Sequence, residues 1–340
     1  MFEITTDKMK IVAILGVVVL LNIAWIQGKF LEERSSSYPD ETRGPDFAKS
    51  PGALKVDLLE GGIDKYWTIE ERSPRAVNNE VEAYTRDAVK QDEFTKAITL
   101  TAQKSGSYVS SGRMNTNLKW NTGDLESTKM HGYLEVRAKF PAKTDGHEFT
   151  GAWPAVWMLG SQGGWPQEGE IDIMETVNGD PKIYMSLHST NHYGGNDQHP
   201  SGPVDANTDY SKYGAILGLE WNIHNSAGQL DLTWWISYFD LGSQSWKTEH
   251  HTKSLHSGTG DDYEDFYNSF INHKGFYAIV NLAEGGDWPG CMDHSCLLNS
   301  GDQYVIVESA KVYGASEPDE NTSSGNIFHN LTSIFYTLLF

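Results

Sequence analysis

Residues 169–175 read Gly-Glu-Ile-Asp-Ile-Met-Glu, so three carboxylates fall within six residues and only large apolar side chains separate them. In a β-strand, successive side chains point to opposite faces of the sheet. The first two acids then share one face and the two isoleucines share the other. Glu175 breaks the alternation, and a β-bulge around Met174 would return it to the acidic face. The stretch predicts a strand with one buried face and a row of three carboxylates on the other.

An exposed edge strand with solvated acids, or a metal-binding loop, would also account for such a cluster, because charged groups usually face solvent. The surrounding chain argues against both. From about residue 53 to residue 314 no helical period persists, and short β-rich runs recur between Gly, Asn and Asp turns. This pattern is typical of a sandwich or barrel. A β-domain around the three acids favours a functional role for these carboxylates over a solvated edge strand or a metal-binding loop.

The clearest strand covers residues 131–141, where Leu134, Val136, Ala138 and Phe140 alternate with polar or amphipathic residues. We expect this strand to bury one face. Further strands are predicted at residues 97–103, 152–159, 182–189, 215–221, 232–239, 276–282 and 304–313. The sequence thus predicts an all-β domain of two packed antiparallel sheets, whose concave outer face could carry a cleft for a polymer.

The amino-acid composition argues against some classes of binding partner and favours others. The formal net charge of −20 argues against nucleic acids and anionic lipid head groups, which attract basic surfaces. The 11 Trp, 16 Tyr and 13 Phe favour strands and flat stacking surfaces. No Cys/His ligand set is evident, so we expect no metal and no cofactor. The acidity allows a structural calcium ion, although no loop has the ligand spacing that would predict one.

The two ends of the chain differ from its body. An almost unbroken apolar run at residues 11–26 predicts that residues 1–28 are a signal peptide or a retained N-terminal anchor. Residues 29–52 are predicted to be a linker, residues 53–315 the folded domain, and residues 316–340 a polar tail with an apolar end that resembles a lipid-anchor signal. We therefore expect an exported monomer, either extracellular or held at the cell surface. In such a chain Cys291 and Cys296 are expected to form a local disulfide.

Aromatic residues flank the probable cleft strands. Trp153 and Trp157 lie four residues apart, and we expect one to face the cleft and the other the core. Trp288 follows a Gly-Gly turn too polar to be buried, a few residues after Asn281. Indole rings pack against the C–H faces of sugars much as they stack on bases. The pattern favours a carbohydrate cleft, although a core position for any single tryptophan is the plain alternative.

These residues together resemble a known family. The segment Glu170–Glu175 is similar to the signature of glycoside hydrolase family 16, in the bulged form that is typical of its laminarinase-like members; other members have one residue fewer. Further landmarks occur in the family's order, roughly over residues 78–314: Asn79-Glu80, Ser111-Gly112-Arg113, residues 132–138, residues 153–157 and residues 281–290.

The resemblance implies a β-jelly-roll sandwich and endo-cleavage of β-1,3-glucan with retention of configuration. It assigns Glu170 as the nucleophile, Glu175 as the general acid/base, and Asp172 as the carboxylate between them. Retaining glycosidases need two such carboxyl groups close together. With one residue absorbed by the bulge, the two glutamates would stand about four strand steps apart, on the order of 13 Å between Cα atoms, a gap that long side chains can largely close.

The resemblance also places Arg113 at the border of the cleft, although a structural ion pair would explain this residue equally well. His188 follows the signature on the next predicted strand, where it either faces the same cleft or serves as a sheet histidine. The sequence departs from the family pattern at Glu284, where a small apolar residue is usual, and at residues 232–240. These departures leave the subsite lining and the glucan linkage open.

Two other functions remain compatible with the sequence. A cell-wall β-glucan transglycosylase would use the same nucleophile and acid but pass the sugar to another glucan. A non-catalytic glucan-binding protein would usually have lost a catalytic glutamate, whereas both are present here.

Overall fold

The computed structural model describes residues 38–39, 41–74, 77–119, 130–161, 164–189, 197–198, 202–224, 227–258, 267–268, 270, 275–292 and 302–315. The predicted signal or anchor, residues 1–28, and the predicted tail, residues 316–340, lie outside the described residues. Across the described ranges, no helix combines the length and apolarity needed to cross a bilayer.

Strands dominate the described chain. The first nine are β1 (Leu54–Asp57), β2 (Trp67–Ile69), β3 (Ala83–Tyr84), β4 (Val89–Gln91), β5 (Ile98–Ser105), β6 (Tyr108–Ser111), β7 (Arg113–Thr116), β8 (His131–Lys139) and β9 (Ala152–Gly160). The others are β10 (Glu170–Glu175), β11 (Lys182–His188), β12 (Asp197–Gln198), β13 (Val204–Asp205), β14 (Ala215–His224), β15 (Gln229–Asp240), β16 (Ser245–His256), β17 (Phe276–Glu284) and β18 (Gln303–Gly314). Single helical turns are α1 (Ile63–Tyr66) and α2 (Tyr210–Tyr213), with 3-10 turns at Asp46–Lys49, Arg86–Ala88 and His147–Phe149.

The strands form two sheets. The first has the order β16-β15-β14-β8-β18-β5-β6-β3, with β1 on β18 and β4 on β5; the second has the order β12-β11-β10-β9-β17-β7-β2, with β13 on β11. Pairing is antiparallel except between β3 and β6. The predicted all-β, two-sheet antiparallel sandwich is confirmed.

The hydrophobic core lies between the sheets. Alternate residues of β14 and β15 supply Leu217, Leu219, Trp221, Trp234 and Ile236, all of them buried. A single continuous cluster joins these residues to the inner face of the second sheet. A core built from both inner faces is what alternating strands produce when two sheets pack face to face.

The strand predicted at residues 131–141 forms, and it buries part of its outer face as well as its inner face. Tyr133 and Glu135, on the side predicted to be polar, are as buried as the core residues, at 0% and 1% exposed. The cause is a chain segment that covers the outer face of the first sheet. Sequence alternation alone could not reveal this cover, because it comes from a distant part of the chain.

That cover is the N-terminal strap, residues 38–39 and 41–53, most of which fell within the predicted linker of residues 29–52. Arg137 on β8 donates hydrogen bonds to the Pro39 and Glu41 carbonyls, at 2.8 and 3.2 Å. Ala48 and Ala53 pack in a small cluster with Tyr133 and Tyr313. The described part of that predicted linker is therefore an ordered layer on the sandwich.

The strap approaches the sheet most closely at Gly44. A Cβ at this position would lie 2.3 Å from ring atoms of Tyr133, so only glycine fits. Phe47, nearby, packs on His131 with ring centroids 4.3 Å apart.

The other predicted strands are confirmed, each within three residues of the observed bounds. Strand β16 was missed, because its twelve residues are mostly polar on both sides. It is an edge strand paired only with β15 among the described strands, and charged side chains on an edge discourage further pairing. His250 and His251 lie on this strand.

Candidate active site

The predicted bulge is present in β10. Opposite β9, Asp172 pairs with Trp157 and Met174 pairs with Val156, so two steps on β10 match one step on β9. The pairing with β11 is irregular over the same stretch. Ile173 is the residue without a partner on β9, one position before the expected centre of the bulge. Its neighbour Met174 stays in the core with it, and both are fully buried.

The bulge puts the three acids on one face. Glu170 and Glu175 pair with Leu159 and Ala155 on β9, which are four residues apart. The six-residue strand thus spans four steps, as the sequence predicted. All three carboxylates line one cavity of about 450 Å³ on the outer face of the second sheet.

A buried tryptophan from the other sheet holds the bulge. The indole Nε1 of Trp234 on β15 donates to the carbonyl oxygen of Asp172 at 2.8 Å. A bulge disrupts the ladder locally and leaves backbone groups in need of partners. The segment at residues 232–240, where the sequence departs from the family pattern, therefore supports β10 through the core.

Glu170 is held by two side chains. The indole Nε1 of Trp165 donates to Glu170 Oε2 at 3.1 Å. His188, which pairs with Glu170 across β10 and β11, puts Nε2 at 3.7 Å from Glu170 and 2.9 Å from Asp172. The histidine faces the cleft, one of the two alternatives that the sequence left open. Both groups can stabilise a negative charge on Glu170.

The electrostatics of Glu170 follow from this setting. Burial, followed by the charge of Asp172, raises the pKa of Glu170 to about 9, while the charge of His188 and the Trp165 hydrogen bond act in the opposite direction. Closely spaced carboxyl groups titrate as a unit. Burial and the repulsion between the carboxylates therefore favour a proton on the row.

Glu175 borders an aromatic wall. Trp153 Nε1 donates to Glu175 Oε1 at 3.0 Å. The rings of Trp153 and Tyr184 each meet Trp288 edge-on, at centroid distances of 5.5 and 5.2 Å. Trp288 remains 40% exposed, so the wall offers an indole surface to a ligand next to Glu175.

The loop that carries Trp288 is fixed at both ends. Asn79 Nδ2 donates to Asp287 Oδ1 at 2.9 Å, and Asn178 Nδ2 donates to the Pro289 carbonyl at 3.0 Å. Cys291 is disulfide-bonded, as predicted, and Cys296, the other cysteine of the chain, lies outside the described residues.

Trp157 and Trp153 both line the cleft, so the expectation that one of them faces the core is wrong. Residues four apart on a regular strand share a face, and β9 is regular over this stretch. Trp157 Nε1 donates to Asn281 Oδ1 at 2.7 Å. Asn281, also in the cleft, donates in turn to the Tyr84 hydroxyl at 3.2 Å.

Arg113 closes the cleft beyond Asn281. Its guanidinium lies 4.8 Å from the centre of the Trp157 ring and 2.7 Å from Glu70. A second arginine, Arg72, pairs with Glu80 at 3.2 Å. Both alternatives for Arg113 therefore hold, because one side chain lines the cleft and forms an ion pair.

Two buried carboxyl groups lie just behind this end. Glu284 is 0% and Glu82 2% exposed, and the backbone N–H of Glu284 donates to Glu82 Oε2 at 2.9 Å. Neither carboxylate oxygen of Glu284 has a hydrogen-bond partner among the described residues. Burial raises the pKa of both groups well above the ordinary value; the charge of Glu80 adds to the rise at Glu82, and that of Glu82 to the rise at Glu284.

Among the described residues, one group could offer three ligand atoms to a cation. It consists of Glu170, Asp172 and His188, whose ligand atoms lie within 4.8 Å of one another. Two of these three residues, Glu170 and Asp172, also belong to the carboxylate row that lines the cleft.

Sequence reasoning missed Trp165 and Tyr184. Trp165 lies in the loop before β10 and is 54% exposed, and its neighbours there show no periodicity. A tryptophan five residues before the first acid, in a stretch rich in Gly and Gln, was the available signal.

Comparison with known families and structures agrees with this geometry. The model of the XgeA-like catalytic domain of glycoside hydrolase family 16 matches residues 143–216, which include β10. A keratan-sulfate endo-1,4-beta-galactosidase from Sphingobacterium multivorum is 32% identical over 54% of this chain, and the match spans 36% of that protein's length.

A glucan endo-1,3-beta-glucosidase from Cryptopygus antarcticus is 27% identical over 68% of this chain and 78% of that protein. Among solved structures, the endo-1,3-beta-glucanase from Streptomyces sioyaensis superposes with a TM-score of 0.59 at 23% identity, over 82% of this chain and all of that chain. The fold is shared along nearly the whole described domain.

Proposed function

We propose that this chain is a glycoside hydrolase of family 16 and a retaining endo-hydrolase of β-1,3-glucan, because residues 143–216 match a catalytic-domain model of that family and the chain is similar to a glucan endo-1,3-beta-glucosidase. The observation that carries the proposal is the row of Glu170, Asp172 and Glu175 in one cleft, with donors on Glu170 and an indole wall beside Glu175. Double displacement requires a nucleophilic carboxylate and a second carboxyl group that acts as general acid and base, and the row can supply both.

In the first step, the Glu170 carboxylate attacks the anomeric carbon while Glu175 gives its proton to the leaving glycosidic oxygen. The bond to the leaving sugar breaks and an ester to Glu170 forms. In the second step, Glu175 takes a proton from water, whose oxygen attacks the same carbon and releases Glu170. The configuration is retained because the carbon is inverted twice.

The proton in the row must be on Glu175 and not on Glu170 when the first step begins. His188 lies between Glu170 and Asp172, and Trp165 donates to Glu170, so both favour the ionised nucleophile. Binding of a sugar between the two glutamates, with the leaving oxygen next to Glu175, would favour the same distribution. Asp172 orients His188 within this set.

The charge of the cleft favours a neutral polysaccharide. Its lining carries two arginines, Arg72 and Arg113, and four carboxylates, Glu80 and the three of the row. Both arginines are already paired with glutamates. A sulfated or uronic chain would meet net negative charge here, so a β-glucan fits better than the sulfated substrate named for the Sphingobacterium relative.

Product analysis on a panel of polysaccharides tests the proposal. Purified protein should release short oligosaccharides from laminarin faster than from mixed-linkage β-1,3/1,4-glucan, and should leave keratan sulfate intact. Products longer than the donor would identify a transglycosylase instead. Glu170→Gln should abolish hydrolysis while glucan binding persists; hydrolysis by that variant at the original rate would remove Glu170 from the role of nucleophile.

We propose further that the chain is exported and works at or outside the cell surface. The apolar run at residues 11–26 and the disulfide at Cys291 support this, since disulfides persist in oxidising compartments. Fractionation of cells that express the full chain tests it. Recovery of the protein in the cytosolic fraction would contradict it.

A further inference from the structure

A second cavity lies on the opposite side of the sandwich from the cleft. It has a volume of about 860 Å³ and opens between the N-terminal strap and the outer face of β14, β15 and β16. We call it the outer pocket; it is defined by Glu41, Arg43, Asp46, Lys49, Glu220, Trp235, Thr248 and His250. Its volume falls within the range of small-molecule sites.

The wall of the outer pocket is an aromatic pair in a fixed orientation. Trp235 and His250 pair across β15 and β16, and their rings stack with centroids 5.0 Å apart and planes 26° apart. Trp235 Nε1 donates to Glu220 Oε2 at 3.0 Å, and His131 Nε2 lies 2.8 Å from Glu220 Oε1. Glu220 thus fixes the orientation of the Trp235 ring. A ring that is already oriented loses less conformational entropy when a ligand binds to it.

The charges of the pocket nearly balance. Arg43 and Lys49 face Glu41, Asp46 and Glu220, and Lys49 already pairs with Asp46 at 2.8 Å. A phosphate, sulfate or nucleic acid would meet more negative than positive charge here. The remaining donors and acceptors, with aromatic rings between them, suit a neutral ligand that has both hydroxyl groups and apolar faces.

We propose that the outer pocket is a second saccharide-binding site that takes a segment of neutral glucan. Sugars combine hydroxyl groups with C–H faces that pack on indoles, which is the chemistry this wall and rim offer. The choice of glucan as the ligand rests on the proposed function, whereas the geometry of the pocket does not. Since the pocket and the cleft lie on different sheets, a long polymer would engage them with two separate stretches, and binding at one site would raise the effective concentration at the other.

The test is a binding titration in the Glu170→Gln background, so that the ligand is not consumed. Isothermal titration with a β-1,3-linked gluco-oligosaccharide should give two sites per chain. Trp235→Ala should reduce this to one, with an affinity loss at the outer pocket of about tenfold or more. His250→Ala and Arg43→Ala, which change exposed side chains, should weaken the same site and guard against misfolding of the tryptophan variant.

A matched control is Trp246→Ala on β16, an indole on the same outer face that does not line the pocket. It should leave the stoichiometry at two. A stoichiometry of one in the parent that none of the pocket variants changes would overturn the outer site. A single site that Trp235→Ala abolishes would instead mean that the outer pocket binds this glucan and the cleft does not. The titration therefore distinguishes failure of the proposed function from failure of the outer site.

Discussion

Trp234 donates its indole N–H to the carbonyl oxygen of Asp172 at 2.8 Å, across the core from one sheet to the other. This hydrogen bond ties the backbone at the bulge to a fully buried side chain on a regular strand. The placement of the carboxylate row therefore depends on a residue that no substrate touches.

Replacing Trp234 with phenylalanine keeps an aromatic ring and removes the donor. We expect a loss of about 1–3 kcal/mol in the free energy of unfolding, because a buried carbonyl is left without its partner, together with a lower kcat. The control is Trp67→Phe, which removes a similar buried bond to the Leu58 carbonyl, 2.9 Å long, outside the cleft lining. Denaturant unfolding and kinetics on both variants check this; equal kcat losses would mean that the bulge does not depend on Trp234.

Removing His188 should change the pH dependence of the enzyme. Glu170 must be ionised to attack, burial and Asp172 raise its pKa, and the charge of His188 opposes that rise. Without His188 the pKa rises further, so the acidic limb of the kcat/KM profile should move to higher pH in His188→Gln. His224→Gln, which removes a comparable pair with Asp231 on the first sheet, should leave the profile unchanged. An unshifted limb in His188→Gln would argue that the histidine does not sense the row.

Trp165→Phe tests the hydrogen bond to Glu170 separately from the ring. Loss of a donor to a charged group, at a site that is half exposed, should lower kcat about tenfold and leave KM nearly constant. A rise in KM alone would show that Trp165 serves only as a platform for the sugar.

Glu175→Ala should separate the two carboxylate roles. The variant should lose about 10²–10⁴-fold in kcat/KM on laminarin, where the leaving sugar needs protonation. On an aryl glucoside with an acidic leaving group the loss should be much smaller in the first step, and added azide should speed the second. If Glu170→Ala gave this pattern instead, the two assignments would have to be exchanged.

The buried pair of Glu82 and Glu284 should make stability depend on pH. Because the pKa of each is raised in the folded state, the folded chain binds more protons than the unfolded chain above about pH 4.5. The free energy of unfolding therefore falls as pH rises. Glu284→Gln should flatten this slope and raise the melting temperature at pH 8, whereas Glu93→Gln, at an exposed site, should do neither. An unchanged slope in Glu284→Gln would indicate that this carboxyl group does not carry the dependence.

The sequence predicted those parts of the fold in which local pattern and burial agree. Strands such as β8 and β17 are apolar enough on the inner face to be recognised. The bulge could be predicted because Glu175 falls one residue out of the alternation of the strand. Strand β16 was missed because its side chains are polar on both sides at a sheet edge. The burial of Tyr133 was missed because the strap that covers it is about ninety residues away in the chain.

The same contrast holds in the cleft. Residues on strands next to the acids, such as Trp153 and Asn281, could be found from their positions. Trp165 could not, because a loop without periodicity does not predict where its side chains point. The bond from Trp234 joins two sheets, and only the packed structure reveals such a pairing.

The bulge in β10 also bears on how this strand tolerates changes in length. Without Met174 the sequence would read Glu-Ile-Asp-Ile-Glu, which alternates strictly and still spans four steps from the first glutamate to the last. The spacing of the catalytic pair is thus the same in the long and the short version, and the extra residue adds a buried side chain to the core. A one-residue deletion here therefore removes a side chain from the interior and leaves the number of strand steps between the two glutamates unchanged.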